Sequence, residues 1–181
     1  MDAQLRSRLV EAGTRWAIRQ AALRLLSHRA RTRRELERRL RRKDFPGRLV
    51  RPVLDDFEER GWIDDAAFAR SWIQDRLRLR PRGRRALLSE LRTKGVDAAV
   101  AEAALDEAFR DPDVSDRDIA LELAEGWLRK QPAALGAALL RGGFEEDAEA
   151  ARRRFMGYLA RRGISGGTAR ATLDRLRESP A

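Results

Sequence analysis

With 181 residues the chain can form one domain of ordinary size or two small ones, and 39 Lys and Arg outweigh 29 Asp and Glu to give a net charge of +10. This excess of positive charge favours a polyanionic partner. Because cysteine is absent, disulfides, thiolate nucleophiles and cysteine-ligated metals are excluded, which fits a reducing compartment.

The composition predicts an all-α fold. Ala, Leu, Arg and Glu dominate, whereas aromatic and β-branched residues are sparse. The longest apolar run, Ala133 to Leu140, is far shorter than the roughly 20 residues that span a bilayer, and the first residues lack the apolar stretch of a signal peptide. We therefore expect a soluble cytoplasmic protein that makes no membrane contact.

The first predicted unit has three helices. Leu23, Leu25 and Leu26 mark its first helix, and Leu36 with Leu40 gives the second helix an apolar face. Thr32 through Glu35 is typical of a capping box that starts this second helix. Four apolar residues mark the third helix: Leu49, Val53, Leu54 and Phe57.

The same unit occurs three times along the chain. When Leu40, Leu91 and Leu159 are taken as equivalent, the residue four positions earlier is always apolar. The residue four positions later lies where the helix must end in a left-handed conformation, and these residues are Asp44, Gly95 and Gly163. An apolar residue follows each of them: Phe45, Val96 and Ile164.

The spacing of the repeats predicts the domain organisation. Equivalent leucines are 51 residues apart at first (91 minus 40) and then 68 apart (159 minus 91), so the third repeat carries an insertion, which we place near 131–150. The predicted divisions are an extension at 1–16 and repeats at 17–62, 63–111 and 112–181. Since one such unit buries little apolar surface, we expect stacking in an elongated, curved array.

The repeats align their basic residues as well as their apolar ones. Three positions are basic in every copy. They lie seven residues before, six residues before and three residues after the reference leucine. They are Arg33, Arg84 and Arg152; Arg34, Arg85 and Arg153; and Lys43, Lys94 and Arg162. A solvated helix surface explains any one of these arginines, but stacked units would present them as a regular series of basic patches.

A basic linker adds to this pattern. Six arginines crowd residues 76–85, and no acidic residue occurs from Arg76 through Ser89. Such dense like charge is repulsive unless an anion shares it. The predicted contact residues for a polyanion are therefore Arg33, Arg34, Lys43, Arg80, Arg82, Arg84, Arg85, Lys94, Arg152, Arg153 and Arg162.

The sequence offers little for catalysis. It has no phosphate-binding glycine loop, and His28 is the only histidine, so no histidine-based metal site or serine triad can form. Adjacent carboxylates at Asp55-Asp56, Asp64-Asp65 and Glu145-Glu146 could hold Mg²⁺ for a nuclease, but neighbours on a helix point apart, which favours capping and solubility. We expect no enzyme activity, cofactor or metal.

Several stretches resemble the RecX family of bacterial regulatory proteins. The most specific is residues 61–72, which read Gly-Trp-Ile-Asp-Asp-Ala-Ala-Phe-Ala-Arg-Ser-Trp. Residues 22–27, 33–36, 80–83, 90–96 and 158–164 also match, so the resemblance covers roughly residues 20–178. The chain departs from the family at Asp44, where glycine is usual, and in the insertion near 131–150.

The resemblance implies three three-helix repeats and a non-enzymatic modulator of the RecA recombinase. Proteins of that family bind the groove of the RecA filament on single-stranded DNA, generally suppress its ATPase and strand exchange, and often bind DNA directly. The implied partners are thus the RecA nucleoprotein filament and single- and double-stranded DNA, with the chain expected as a monomer. The alternatives are a general DNA- or RNA-binding repeat protein that acts without RecA, and a metal-dependent nuclease.

Overall fold

The computed structural model describes residues 2–178, and these form ten α-helices with no strand among them. The all-helical prediction is confirmed. The helices are α1 (Ala3–His28), α2 (Arg33–Arg41), α3 (Gly47–Glu59), α4 (Asp65–Leu79), α5 (Arg84–Lys94), α6 (Ala98–Ala108), α7 (Asp116–Leu128), α8 (Ala133–Arg141), α9 (Glu146–Arg161) and α10 (Gly166–Glu178). Residue 1 and residues 179–181, the outer ends of the predicted extension and third repeat, lie outside the described residues.

The helices are assigned in chain order to the three predicted repeats. The first repeat contains α1 to α3, the second contains α4 to α6, and the third contains α7, α9 and α10, with α8 inside the predicted insertion. The extension and the first helix of the first repeat form one continuous helix, α1. The repeat boundaries themselves stay predictions.

The middle helices α2, α5 and α9 bury the apolar pairs that define the repeat. Leu36 and Leu40, Leu87 and Leu91, and Phe155 and Leu159 all have no exposed side-chain area. Burying each of these side chains contributes about 1.5–3 kcal/mol to folding. The helical period of the apolar residues therefore selected the inward face of each middle helix correctly.

The predicted left-handed residue lies in the turn that follows each middle helix. Asp44, Gly95 and Gly163 have φ angles of 61°, 91° and 86°. After Gly95 and Gly163, the N–H of the next residue returns to the reference leucine, Val96 to Leu91 and Ile164 to Leu159, each at 3.1 Å. These bonds satisfy carbonyls that a helix end leaves without partners.

Side-chain caps mark the starts of three helices. At the predicted start of α2, Thr32 Oγ1 accepts from the Glu35 N–H at 3.1 Å, and at the start of α7 Ser115 Oγ accepts from the Asp118 N–H at 3.2 Å. Of the two aspartates before Phe68, Asp64 caps α4 by accepting from the Ala67 N–H at 2.8 Å. Asp65 is thereby left for a different contact, described below.

The described residues pack as two compact units. The first comprises residues 2–72 and 91–102, and the second comprises residues 73–90 and 103–178. In the first unit α1, α2 and α3 contact one another around a core that includes Ile18, Ala22, Leu54 and Phe57. The residues of the predicted second repeat are shared between the two units.

In the second unit α7, α9 and α10 surround Leu123, Trp127 and Leu173. Helix α8 packs on α9 and buries Leu139 in the same core, so the insertion extends the third repeat with a helix of its own. The Arg177 guanidinium donates to the Leu139 carbonyl at 3.0 Å and ties α10 to the end of α8. No helix in residues 2–178 is long and apolar enough to cross a bilayer.

Candidate nucleic-acid interface

Arg33, the first residue of α2, is held by carboxylates of the first unit. Its Nη2 lies 2.6 Å from Asp55 Oδ1, and its Nη1 donates to Glu58 of the same helix, α3. The backbone N–H of Arg33 donates to Asp65 Oδ1 at 2.9 Å, so the first residue of α4 caps the start of α2. Carboxylates from α3 and α4 thus fix this predicted contact residue.

The environment of Asp65 is unusual for a carboxylate. Burial raises the pKa of Asp65 above its usual 3.8, and the Glu58 and Asp64 carboxylates raise it further. The hydrogen bond from the Arg33 backbone lowers the pKa but does not offset burial. Asp65 therefore connects two helices at an energetic cost when it is ionised.

The same arrangement recurs at Arg84, the first residue of α5. Its backbone N–H donates to Asp116 Oδ1 at 2.9 Å, and its Nη2 donates to Asp106 Oδ1 at 2.7 Å. Its guanidinium also lies 5.8 Å from the centre of the Phe109 ring, a distance suited to a cation–π contact. Arg84 thus occupies the same structural position in the second repeat as Arg33 in the first.

The residues that follow these two arginines face outward. Arg34 and Arg85 are exposed, and neither forms an ion pair with another described residue. The side-chain stem of Arg34 packs beside Gly95, where a Cβ would lie 2.5 Å from Arg34 Cβ. Arg34 also lines a shallow basic groove of about 490 Å³ along α2 with Glu37, Arg38, Arg41 and Arg42.

Lys43 and Lys94 have different surroundings although they are equivalent in the repeat. Lys43 is exposed just beyond α2. Lys94 is half-buried, with its Nζ 3.9 Å from the centre of the Trp72 ring, and its carbonyl accepts from Thr32 Oγ1 at 2.7 Å. Lys94 thus joins the end of α5 to the start of α2 and to α4.

A matching junction holds Arg162 and Gly83 together. The Gly83 N–H donates to the Arg162 carbonyl at 2.8 Å, and the Arg162 guanidinium lies 5.0 Å from the Tyr158 ring centre. A Cβ at Gly163 would lie 2.5 Å from Ala86 Cβ, and a Cβ at Gly83 would lie 2.8 Å from the Gly163 carbonyl. Only glycine at both positions allows the end of α9 to approach the start of α5 so closely.

A carboxylate just beyond the basic linker lies close to two of its arginines. Glu90, one residue beyond the acid-free stretch, accepts from Arg76 Nε at 2.7 Å and lies 3.3 Å from Arg82 Nε. Arg82 Nη1 also donates to the Arg161 carbonyl at 3.2 Å. Arg80 is exposed and has no ion-pair partner among residues 2–178. The repulsion inferred from the sequence is therefore relieved in part by Glu90.

Arg82 and Arg85 meet Arg161 at one concave surface in the second unit. The groove measures about 540 Å³ and is lined by Arg82, Arg85, Ala86, Ser89, Glu90, Ala160, Arg161, Gly163 and Ile164. Arg161 is exposed and forms no ion pair within the described part of the chain. The aligned positions did not include Arg161, and its place directly before the aligned Arg162 at a helix end was the available signal.

The third repeat keeps its basic residues at the surface. Arg152 is exposed without an ion pair to any residue in 2–178, and Arg153 lies 3.4 Å from Glu149 one turn earlier. No carboxylate of the described residues holds Arg152 in the way that Asp55 and Asp106 hold its equivalents. The eleven predicted residues thus divide into exposed cations and cations engaged within the fold.

A buried charge cluster in the first repeat was not predicted. The Glu35 carboxylate accepts from Arg31 and Arg29, and the side chains of Glu35 and Arg31 are both only 8% exposed. Burial acts to raise the pKa of Glu35, but the hydrogen bonds and charges of Arg29 and Arg31 outweigh burial and lower it. Thr32 is thus the residue that caps α2, and the Glu35 carboxylate, predicted as the other half of the capping box, is instead the centre of a structural ion cluster.

Most of the adjacent carboxylates contact backbone N–H groups or arginines. Asp64 and Asp65 cap helices, Asp56 pairs with Arg60 and Arg19 at 2.7 Å each, and Glu145 lies 3.4 Å from Arg141. Within residues 2–178 no group of three or more His, Asp or Glu is placed to hold a metal ion. These contacts agree with the capping and solubility roles favoured for them.

The helices and their surface define a class of protein, an all-helical repeat protein whose units carry guanidinium groups at recurring positions. Two family models match it: "RecX, first three-helix domain" over residues 19–57 and "RecX, second three-helix domain" over residues 64–105. The chain belongs to the RecX family of regulatory proteins, as the following relatives show.

Regulatory protein RecX of Streptomyces coelicolor is 38% identical to this chain over 151 residues, which cover 83% of this chain and 72% of that protein. Regulatory protein RecX of Mycolicibacterium smegmatis is 42% identical over 143 residues, covering 79% and 70%. The crystal structure of RecX from Lactobacillus salivarius has the same fold, with a TM-score of 0.72 at 21% identity over 93% of this chain and 99% of that chain. A second crystal structure of regulatory protein RecX gives a TM-score of 0.76 at 20% identity over 96% and 80%.

Proposed function

We propose that this chain binds the RecA filament on single-stranded DNA and modulates its activity, with suppression of the ATPase and of strand exchange as the expected direction. It would thereby affect DNA repair and recombination. It acts in the cytoplasm as a monomer, by binding alone, and needs neither a cofactor nor a metal. Its membership of a family of regulatory proteins supports a binding role over a catalytic one.

One observation carries the proposal. Every middle helix presents at least one aligned basic residue that is exposed and has no ion-pair partner in residues 2–178: Arg34 in α2, Arg85 in α5 and Arg152 in α9. A charge that stabilises no internal contact remains available for an external anion. A partner that repeats its own anionic groups, as a nucleoprotein filament does, can engage all three.

The structure also refines which predicted residues we propose as contacts. Arg33 and Arg84 are engaged by carboxylates of their own units, and Lys94 lies on Trp72. We propose that these three mainly support the fold. The external contacts would be made by the exposed residues Arg34, Lys43, Arg80, Arg85, Arg152 and Arg153. Arg82, which lines the groove in the second unit, and Arg162, whose carbonyl accepts from the Gly83 N–H, would support them.

Binding to assembled filaments tests the proposal. The affinity of the labelled chain would be measured for RecA filaments on single-stranded DNA, for the same DNA without RecA, and for RecA without DNA. We expect the filament to bind most tightly. Equal affinity for the filament and for bare DNA would favour a general nucleic-acid-binding protein that acts without RecA.

A charge-matched pair of triple variants separates local contacts from net charge. Arg34→Gln, Arg85→Gln and Arg152→Gln together should weaken filament binding strongly. Arg24→Gln, Arg70→Gln and Arg170→Gln remove the same charge from exposed positions outside the middle helices and should weaken binding far less. Equal losses in the two triple variants would overturn the proposed contact surface.

A further inference from the structure

The groove at the start of α5 is lined by arginines but lacks a carboxylate that is present at the equivalent position of the first repeat. In the first repeat, Glu35 lies buried in the first turn of α2 and accepts from Arg31 and Arg29. The residue equivalent to Glu35 in the second repeat is Ala86, which lines the groove. The carboxylate that gathers the arginines of the first repeat is therefore missing from the first turn of α5.

The cations of that cluster are retained around the groove. Arg82 is equivalent to Arg31, and Arg80 is equivalent to Arg29. Glu90, one turn further along α5, engages Arg82 together with Arg76. Arg80 has no carboxylate partner in residues 2–178, whereas Arg29 in the first repeat pairs with Glu35.

Two further guanidinium groups lie at the same place, of which Arg85 is the equivalent of Arg34 in the first repeat. Arg85 and Arg161 line the groove, are exposed and form no ion pair with any described residue. The groove therefore has Arg82, Arg85 and Arg161 against the single carboxylate of Glu90, which Arg76 shares. Arginine is well suited to phosphate because its planar fork forms paired hydrogen bonds with the oxygens.

The shape of the groove is fixed by backbone contacts. The Gly83 N–H bond to the Arg162 carbonyl and the close approach of Gly163 to Ala86 join the end of α9 to the start of α5. Ala86, Ala160 and Ile164 give it an apolar wall, against which a sugar ring can pack. A volume of about 540 Å³ lies within the usual range of ligand sites, roughly 300–1,000 Å³.

We infer that this groove binds a phosphodiester of a nucleic-acid backbone, with the phosphate over Ala86 held by Arg85 and Arg161 and supported by Arg82. The bound phosphate takes the place that the Glu35 carboxylate fills in the first repeat. This inference rests on the proposed function, because it names the part of the nucleoprotein partner that the second repeat contacts.

Binding of the full chain to a short single-stranded oligothymidylate, followed by fluorescence anisotropy over a range of salt concentrations, tests the site. Arg85→Gln and Arg161→Gln should each weaken binding and reduce the salt slope by about one, as the loss of one phosphate contact predicts. The matched control is Arg170→Gln, which removes an exposed arginine of the same unit outside the groove. Losses no greater than that of the control would overturn the inference.

Two further probes make the test specific to phosphate. Ala86→Glu restores the internal carboxylate and should compete with the ligand, so we expect a larger loss of affinity than for either arginine variant. An oligothymidylate with neutral methylphosphonate linkages should bind the wild-type chain and the Arg161→Gln variant equally. If Ala86→Glu binds as wild type does, or if Arg161→Gln is still weaker on the neutral backbone, the groove does not hold a phosphate.

Failure of this site can be distinguished from failure of the proposed function. If the groove variants bind DNA as the control does while the wild-type chain still binds the filament, only the groove assignment is wrong. If the groove variants lose affinity for DNA but the wild-type chain shows no preference for the filament, the groove assignment stands and RecA regulation is wrong.

Discussion

The backbone N–H of Arg33 donates to the Asp65 carboxylate at 2.9 Å, and an identical bond joins Arg84 to Asp116, 51 residues further on (84 minus 33). In both cases the first residue of the next repeat's first helix caps the preceding middle helix: Asp65 of α4 caps α2, and Asp116 of α7 caps α5. Each arginine also pairs with an aspartate 22 residues later. The repeat is thus a repeat of specific tertiary contacts as well as of apolar spacing.

Replacing Asp65 should separate its capping role from its charge. Asp65→Ala removes the acceptor for the Arg33 N–H and should destabilise the fold by about 1 kcal/mol, as loss of a cap does. Asp65→Asn keeps an acceptor oxygen without the charge that burial disfavours. Because the folded pKa of Asp65 is raised, its favourable contribution is present at low pH and is lost as pH rises through that pKa.

Urea unfolding at two pH values checks this prediction. At pH 7 we expect Asp65→Asn to be at least as stable as wild type, and this advantage should disappear when the pH falls below the usual aspartate value of 3.8. Glu59→Gln, at an exposed position of the neighbouring helix α3, is the control. An Asp65→Asn variant as unstable at pH 7 as Asp65→Ala would show that the ionised carboxylate is needed.

Glu35 should make stability depend on pH in the opposite direction. Its folded pKa is lowered, so its contribution is present above the usual value of 4.5 and is lost as pH falls through the folded pKa. Glu35→Ala leaves the buried Arg31 guanidinium without its partner, which typically costs about 3–5 kcal/mol. Denaturant unfolding from pH 7 to pH 3 measures both effects.

The double replacement provides a check on this interpretation. Arg31→Met with Glu35→Met removes both charges and should cost less than Glu35→Ala alone, since no buried charge is left unpaired. A double variant that is less stable than Glu35→Ala would mean that the ion pair itself contributes more than the apolar contacts that replace it.

Asp44 is the one non-glycine residue with positive φ in residues 2–178, and it lies in the turn after α2 with a φ of 61°. A left-handed conformation costs an L-residue with a side chain about 1–2 kcal/mol, and glycine removes that cost. Asp44→Gly should therefore stabilise the fold by about 1 kcal/mol, which thermal unfolding would register as a rise of a few degrees.

The equivalent position in the third repeat should respond in the opposite way. Gly163→Ala places a side chain at a φ of 86° and a Cβ 2.5 Å from Ala86 Cβ, so it should destabilise the fold clearly. Equal Tm values for Gly163→Ala and wild type would mean that the junction with α5 adjusts without strain.

Adjacent arginines in α2 should give contrasting phenotypes. Arg33→Gln loses the contacts to Asp55 and Glu58 and should lower stability by up to about 1 kcal/mol while changing DNA affinity little. Arg34→Gln removes an exposed charge but keeps the stem beside Gly95, and should lower DNA affinity with unchanged stability. Urea unfolding and anisotropy on the same two variants would reveal a reversal of these roles.

The sequence predicted the features that depend on local spacing and backbone geometry. Three of these features follow from residues close together in the chain: the apolar pair Leu36 and Leu40, the helix ends at Gly95 and Gly163, and the cap at Thr32. These features are the same whichever helices pack around them. For that reason the amino-acid sequence alone was enough to predict the all-helical class and the repeat.

The pairing of charges could not be predicted in the same way. Whether Arg84 faces solvent or meets Asp106 depends on how α5 and α6 pack, and the sequence separation of 22 residues carries no such information by itself. Residues 76–89 contain no acidic residue, but the Glu90 carboxylate pairs with Arg76 and Arg82 and so reduces the repulsion among the linker arginines. The sequence alone showed which residues are basic. Whether each of them is exposed to an external anion or paired with a carboxylate depends on how the helices pack.

The proposed function of this chain is regulation of RecA by binding to its filament. The most direct measurement is the single-stranded-DNA-dependent ATPase of the cognate RecA during titration with this chain at physiological salt, with binding of the chain to the same free DNA as the control. We predict that the ATPase falls at concentrations where free DNA is not yet bound. A change in ATPase that begins only when free DNA is saturated would contradict filament regulation and leave competition for DNA as the explanation.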